Sequence, residues 1–349
     1  MILLALALSY STLIQQADRA REQNRLDEAI ALYQKAARLR PQQGEPWWYL
    51  GMCHYERDQY PQAEQAFARL VVLHPKQGAG WAMLGLSAFK NRKYEPALAA
   101  LRKAHAFGVP KTNDMDKVAR YHLVILLNRF GHFEMASGLL MTFVVENAVT
   151  PLVEQAAGLA ALRLNFLPEE TPTALREPVA LAGQACILAW QKRTADAQAL
   201  ARQLLQRFPG QANAHYLLGY LYLLENNPRA IDEFQAELEQ NPNHVQARLQ
   251  IAYEYFRQGR AADGLPYAEQ AVRLAPQDFT ARNILGRIYL QLNRVSDAVR
   301  ELELAVQYAP ASPEAHFHLA TAYNRSGRKQ DAARHQSIFA KLSEARTKE

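Results

Sequence analysis

Prolines in this chain fall at a near-constant interval. Pro41 and Pro75 are 34 residues apart, as are Pro242 and Pro276, and Pro276 and Pro310. Pro209 and Pro242 are 33 apart, one deletion short, and Pro110 and Pro178 are 68 apart, or two periods. A proline cannot continue a helix and pushes its predecessor out of helical geometry, so prolines at this spacing mark recurring helix ends. By length alone, 349 residues would mean two or three domains. A repeat at this period means one array of similar units instead.

Two columns of small residues run between the prolines. One reads Ala29, Ala63, Ala97, Ala136, Ala197, Ala230, Gly264, Ala298 and Ala332. The other, in most units twelve residues upstream, reads Ala17, Gly51, Gly85, Val124, Ala185, Gly219, Ala252, Gly286 and Ala320. Small residues at both predict that two antiparallel helices of one hairpin approach there too closely for larger side chains. Three residues after the second column comes a larger filler, as in His54, Leu127, Tyr222, Tyr255, Tyr289 and Tyr323. Apolar residues around both columns recur at helical spacing, and no window alternates with period two, so no strands are expected.

Trp47-x-x-Leu50-Gly51-x-x-His54, then Ala63-x-x-x-Phe67, then Pro75 resembles the tetratricopeptide repeat, TPR. Leu218-Gly219-x-x-Tyr222, and Leu285-Gly286-x-x-Tyr289 through Ala298 to Pro310, resemble it equally. The resemblance covers about residues 10–346. It implies an all-α, right-handed TPR solenoid of about ten helix-turn-helix units, interrupted near 165–178.

The expected units are 10–43, 44–77, 78–116, 117–150, 151–177, 178–210, 211–244, 245–278, 279–312 and 313–346. The fourth is divergent, with Val124 and Leu127 in place of Gly and Tyr. The fifth is degenerate: Leu152–Leu164 fits a first helix with Gly158 in the close-contact column, but Pro168, Pro172 and Pro178 follow within fourteen residues. Three prolines so close exclude a regular three-turn helix. The expected organisation is an apolar segment 1–9, an N-terminal TPR arm 10–164, a Pro-rich break 165–177, and a C-terminal TPR arm 178–349 with a capping helix. The break reads either as a hinge or exposed contact loop, or as a tolerated surface insertion. Gln330–Arg346, with Lys341 and Glu344 beside Ile338, Phe339 and Leu342, suits a last helix with one wet face.

Two readings fit Ile2–Leu8, whose Ala5-Leu6-Ala7 has the small-x-small form of a signal-peptidase site. It is the remainder of a signal peptide starting upstream, making the protein exported or periplasmic, or it extends the first helix of a cytoplasmic protein. No apolar run reaches the ~18–20 residues of a membrane-spanning helix, so no integral membrane segment is expected. The net charge of +6, from 40 basic and 34 acidic residues, is spread without a concentrated basic stripe, and nucleic-acid binding is not expected. Two cysteines, Cys53 and Cys186, cannot supply a disulfide framework or a thiolate-rich metal site.

No Gly-rich phosphate loop, G-x-S-x-G or H-E-x-x-H is present. His316 and His318 fall on different sides of a helix, and His215 with Glu225 or Glu233 has no third ligand. No enzyme, cofactor or metal is expected, because the repeats consume nearly the whole chain. What remains is binding a protein or peptide; the repeats do not specify an oligomeric state.

The family geometry implies that first helices line an inner, concave surface, with the second, fifth, ninth and twelfth positions of each unit pointing inward. On these and adjacent positions the expected groove comprises Trp48, Met52, Tyr55, Phe89, Tyr121, Asn128, Trp190, Tyr216, Tyr220, Tyr253, Phe256, Asn283, Arg287, Phe317 and Asn324. Aromatic anchors and Arg are what protein interfaces favour, and a groove suits helical or extended segments. The competing reading is that several of these rings pack between adjacent first helices. The chaperone-binding TPR members use a two-carboxylate clamp, and no three successive units carry it here; Arg287 stands where the clamp wants Asn, and the last unit has Phe317. The expected function is therefore a non-catalytic protein-interaction scaffold. The alternative is a cell-envelope assembly factor that holds large partners through its outer face and edges.

Overall fold

The computed structural model describes residues 9–111 and 114–347; Ile2–Leu8, with both its readings, lies outside the described residues. Among the described residues there are nineteen α-helices and no strand. The chain forms an all-α solenoid of helix hairpins and clusters into two compact units, Met1–Gly183 and Gln184–Glu349.

In the first unit the hairpins are α1 (Tyr10–Glu22) with α2 (Leu26–Leu39), α3 (Gly44–Glu56) with α4 (Tyr60–Leu73), α5 (Gly78–Lys90) with α6 (Tyr94–Phe107), and α7 (Met115–Arg129) with α8 (Phe133–Val145). A single helix α9 (Pro151–Ala161) follows, then the turn Pro168–Glu170 and helix α10 (Thr173–Trp190), within which the unit boundary falls. In the second unit α11 (Thr194–Arg207) precedes four hairpins. These are α12 (Ala214–Leu223) with α13 (Arg229–Gln240), α14 (Val245–Arg257) with α15 (Ala261–Leu274), α16 (Phe279–Gln291) with α17 (Val295–Tyr308), and α18 (Pro313–Arg325) with α19 (Lys329–Thr347). On α19, Ile338, Phe339 and Leu342 are half-buried while Lys341 and Glu344 face water.

The small-residue columns lie where hairpin partners meet. A side chain added at Gly51 would reach Phe67 of α4 at 2.7 Å, and one at Gly219 would reach Phe234 of α13 at 2.7 Å. Phe67 and Phe234 are fully buried, so the missing side chain is what admits each ring.

The fifth unit lacks a second helix, and Gly158 therefore meets a different partner. Its added Cβ would lie 1.9 Å from the Val179 carbonyl of α10, and a Cβ on Gly183 would lie 2.1 Å from the Glu154 carbonyl of α9. The two helices touch backbone to backbone. The irregular stretch is pinned rather than loose: Leu167, Pro168 and Thr171 are buried, Gln155 Nε2 donates to the Pro168 carbonyl at 2.9 Å, and Arg129 pairs with Glu170. Helix α10 starts at Thr173, before Pro178. A helix leaves its first four N–H groups without internal partners, so a proline at the sixth position removes one backbone bond only.

Different side chains do one repeated job at the unit junctions. The fourth residue of a first helix donates to the carbonyl of the period-marking proline six residues earlier. Trp47 Nε1 reaches Pro41 at 3.1 Å, Trp81 Nε1 reaches Pro75 at 2.8 Å, Arg282 Nε reaches Pro276 at 2.9 Å and His316 Nε2 reaches Pro310 at 3.0 Å. Arg248 does the same for Pro242. At Pro209 the equivalent His215 turns to Glu233 instead, and Gln240 Nε2 supplies the donor at 3.1 Å. Each carbonyl lies just past a helix end, where an unpaired acceptor is costly.

A second recurrent device closes the hairpin turns. Arg260, Arg294 and Arg328 lie over Tyr255, Tyr289 and Tyr323 at 4.7, 4.3 and 4.1 Å. Each also binds the Asp three residues on, Asp263, Asp297 or Asp331, at 2.7 Å.

The divergent fourth unit carries a different charged cluster, away from its hairpin turn. Arg120, on α7, lies over Phe143 at 4.4 Å and binds Glu146 and Asp116. Hydrogen bonding from Arg120 holds the Glu146 carboxyl down at about 2. A carboxyl whose folded pKa is depressed stabilises the fold above its unfolded value, ~4.3, and loses that contribution as pH falls toward 2. The stability gap between wild type and Glu146→Gln, read from urea midpoints, is therefore expected to be full at pH 6 and to shrink from pH 4.5 to 2. A gap independent of pH would show that the pair contributes nothing.

Candidate binding face

Successive first helices touch each other: α5 with α7, α7 with α9, α14 with α16 and α16 with α18. Among the described residues no comparable contact joins successive second helices, so these first helices form the more tightly spaced layer. The repeat register places equivalent residues side by side on this layer.

In the second unit the residues that directly follow the small-residue column Gly219, Ala252, Gly286 and Ala320 on α12, α14, α16 and α18 are Tyr220, Tyr253, Arg287 and Thr321. Tyr220 is 42% exposed. Arg287 Cζ lies 5.3 Å from the Tyr253 ring centre and 4.6 Å from that of Phe256, and the two rings stack at 6.3 Å. Phe317 is 47% exposed, with its ring 5.4 Å from Phe339 and 5.2 Å from His318. Burial, and then the Arg287 charge, push His318 down to about 4, so at neutral pH that imidazole is uncharged. Asn324 is exposed and Trp190 half-buried.

Other expected groove residues are turned to packing. Asn128 is fully buried and its amide donates to the Ala156 carbonyl of α9 at 2.9 Å, tying two first helices together. Asn283 is 8% exposed, with its carbonyl oxygen buried. Tyr216 stacks on His244 at 4.8 Å and tilts on Phe234 at 5.5 Å, joining α12 to α13 and to the start of α14. Arg325, one step along from Asn324, donates to the Leu290 carbonyl at 2.7 Å and to Asn293.

In the first unit, Trp48 meets Phe67 edge-on at 5.8 Å and lines a cavity of about 780 Å³ with Tyr49, Leu70, Leu73, His74 and Lys76. Met52 is half-buried. Tyr55 packs edge-on against Tyr60 at 5.3 Å, and Phe89 contacts Tyr94 at 5.6 Å and His122 at 4.8 Å. Tyr121, half-buried, is edge-on to His122 at 5.7 Å. Sequence reasoning omitted Tyr94, His122, Arg129 and His318 from this face. His122, Arg129 and His318 directly follow the selected Tyr121, Asn128 and Phe317, so extending each selected position by one residue finds them; Tyr94 opens α6 and is brought to Phe89 and Arg129 only by the fold.

The histidines go to structural contacts. His215 Nδ1 lies 2.7 Å from Glu233. His316, whose Nε2 donates to Pro310, faces His335 Nδ1 at 2.9 Å through its remaining nitrogen. Among the described residues no three His, Cys, Asp or Glu side chains converge on a point a metal could occupy. Burial pushes the Cys53 and Cys186 thiols up to about 11 and 12, which leaves both as unreactive thiols at neutral pH. No helix is long and apolar enough to cross a membrane among the described residues.

The chain belongs to the tetratricopeptide repeat family, whose model matches residues 14–78, 54–108, 183–245, 224–278, 249–310 and 289–338. No curated protein matches it in sequence. Similar solved structures include a MamA RS-1 double mutant, at 19% identity and a TM-score of 0.45, covering 48% of this chain and 96% of that one. MamA 41-end from Desulfovibrio magneticus RS-1 is 20% identical with a TM-score of 0.44, covering 47% and 94%. YrrB, a TPR protein with an unusual peptide-binding site, is 18% identical with a TM-score of 0.41, covering 47% and 84%.

Proposed function

We propose that this protein is a non-catalytic scaffold that holds a protein segment against the inner face of its first helices. The observation that carries this reading is the row Tyr220, Tyr253 and Arg287 at one register of α12, α14 and α16, with Phe256 beside it and the exposed Phe317 on α18. Large rings that project from a rigid helix layer lose little freedom when a partner covers them, and aromatic residues and Arg dominate protein interfaces. Membership of the repeat family supports the same reading, since stacked hairpins expose such surfaces.

A second reading, contact with a large partner through outer face and edges, is favoured by a different observation. Leu39, Val72, Phe107 and Val145, at the ends of α2, α4, α6 and α8, are 54%, 67%, 45% and 81% exposed. A photo-crosslinking amino acid at position 220 and, separately, at position 72 distinguishes the two in the native cell. Crosslinks from 220 and not from 72 are expected; the reverse pattern would overturn the inner-face reading in favour of the edge.

A further inference from the structure

Of the ten arginines that lie over aromatic rings among the described residues, six also bind a carboxylate, Arg120 on Glu146 being the first. Arg129, Arg163, Arg260, Arg294 and Arg328 each lie over a ring and each bind a carboxylate, from Glu170, Glu134, Asp263, Asp297 and Asp331. Arg287 covers two rings, Tyr253 and Phe256, and no carboxylate among the described residues pairs with it. The imidazole beside it, His318, is neutral at physiological pH and offers no charge compensation. Glu314, whose charge acts on that imidazole, accepts the Ser312 hydroxyl at 2.9 Å. Both rings lie against the guanidinium, and its N–H edge is the part that a planar carboxylate matches with two parallel hydrogen bonds.

We infer that the inner face of the second unit takes a peptide segment carrying a side-chain carboxylate, which Arg287 binds by its edge while the partner's apolar side chains rest on Tyr220 and Phe317; this rests on the scaffold reading above. Three observations converge on that occupant. The cation is uncompensated, its aromatic backing holds it in place, and exposed rings lie on α12 and α18, the first helices on either side of α14 and α16. In the first unit the corresponding aromatic cluster has its cation, Arg129, already bound to Glu170, so the preference is assigned to the second unit alone.

The test uses the full chain on an array of random twelve-residue peptides, comparing wild type, Arg287→Gln, Arg287→Lys and the double variant Tyr220→Ala/Tyr253→Ala. Circular dichroism establishes that all four are folded. Wild type is expected to retain peptides enriched in Asp and Glu. Arg287→Gln is expected to bind those peptides roughly tenfold or more weakly, the size of a lost charged hydrogen bond, and to lose the enrichment. Arg287→Lys keeps the charge without the fork and is expected to fall between. If peptides bind and the tyrosine variant loses them, but no acidic enrichment exists or Arg287→Gln preserves it, the inference is overturned and the scaffold reading stands. If no peptide binds, or binding is indifferent to the tyrosines, both are overturned.

Discussion

Valine at position 183 is expected to destabilise the first unit by at least ~3 kcal/mol, at or beyond the upper end of ordinary overpacking. The added Cβ alone would lie 2.1 Å from the Glu154 carbonyl oxygen, 2.9 Å from its carbon and 3.2 Å from the Gly158 nitrogen. All three are backbone atoms of α9, so no side chain can rotate out of the way; the helices must separate. Separation would also expose the buried side chains around Gly158 and Val179. Helix propensity opposes the effect weakly, because Val is better than Gly inside a helix by only a few tenths of a kcal/mol. Steric overlap therefore wins by a wide margin. Gly138→Ala is the matched control: it sits on α8, its added Cβ meets nothing within 4 Å, and stability is expected to stay level or rise by ~0.5–1 kcal/mol. Urea unfolding followed by circular dichroism reads both. A Gly183→Val protein as stable as wild type would mean that α9 and α10 do not touch as described.

That junction also shows what the sequence could and could not reveal. The hairpins were legible because small residues recur where helices cross, and a column of nine entries outweighs any one exception. Gly158 was legible as a close-contact position, but not its partner: the hairpin mate it should have met is missing, and the next helix takes its place. The three prolines announced that loss correctly in kind. They hid the start of α10, because a proline early in a helix removes a single bond and buried Val179, Leu181 and Ala182 hold the remainder. The proline-carbonyl contacts were invisible for another reason: Trp, Arg and His share no sequence pattern, only an N–H at the right reach.

For the candidate face, the sequence reveals register but not burial. Register selects equivalent positions on successive first helices, yet it cannot say which of them a neighbour covers. Asn128 and Asn283 look like solvent-facing groove residues, and both are buried, Asn128 against α9. Arg287 and Arg325 look alike in sequence. The second is occupied by Leu290 and Asn293, more than thirty residues away, and the first is not.

Tyr220→Ala combined with Tyr253→Ala is expected to remove partner binding outright while leaving the fold intact. Tyr220 is 42% exposed and Tyr253 half-buried on the layer of first helices, so neither truncation opens a sealed core. The loss should be large because truncating aromatic anchors at the centre of an interface commonly costs 2 kcal/mol or more each, on the order of thirtyfold in affinity per residue. Removing Tyr253 also withdraws one of the two rings that Arg287 lies over, which couples the pair of effects.

The most direct measurement is a crosslinking pull-down from the native cell with wild type and this double variant, at matched helicity by circular dichroism. Wild type is expected to capture a partner that the variant does not. Equal capture by both would contradict an inner-face binding site and move attention to the exposed edge formed by Leu39, Val72, Phe107 and Val145.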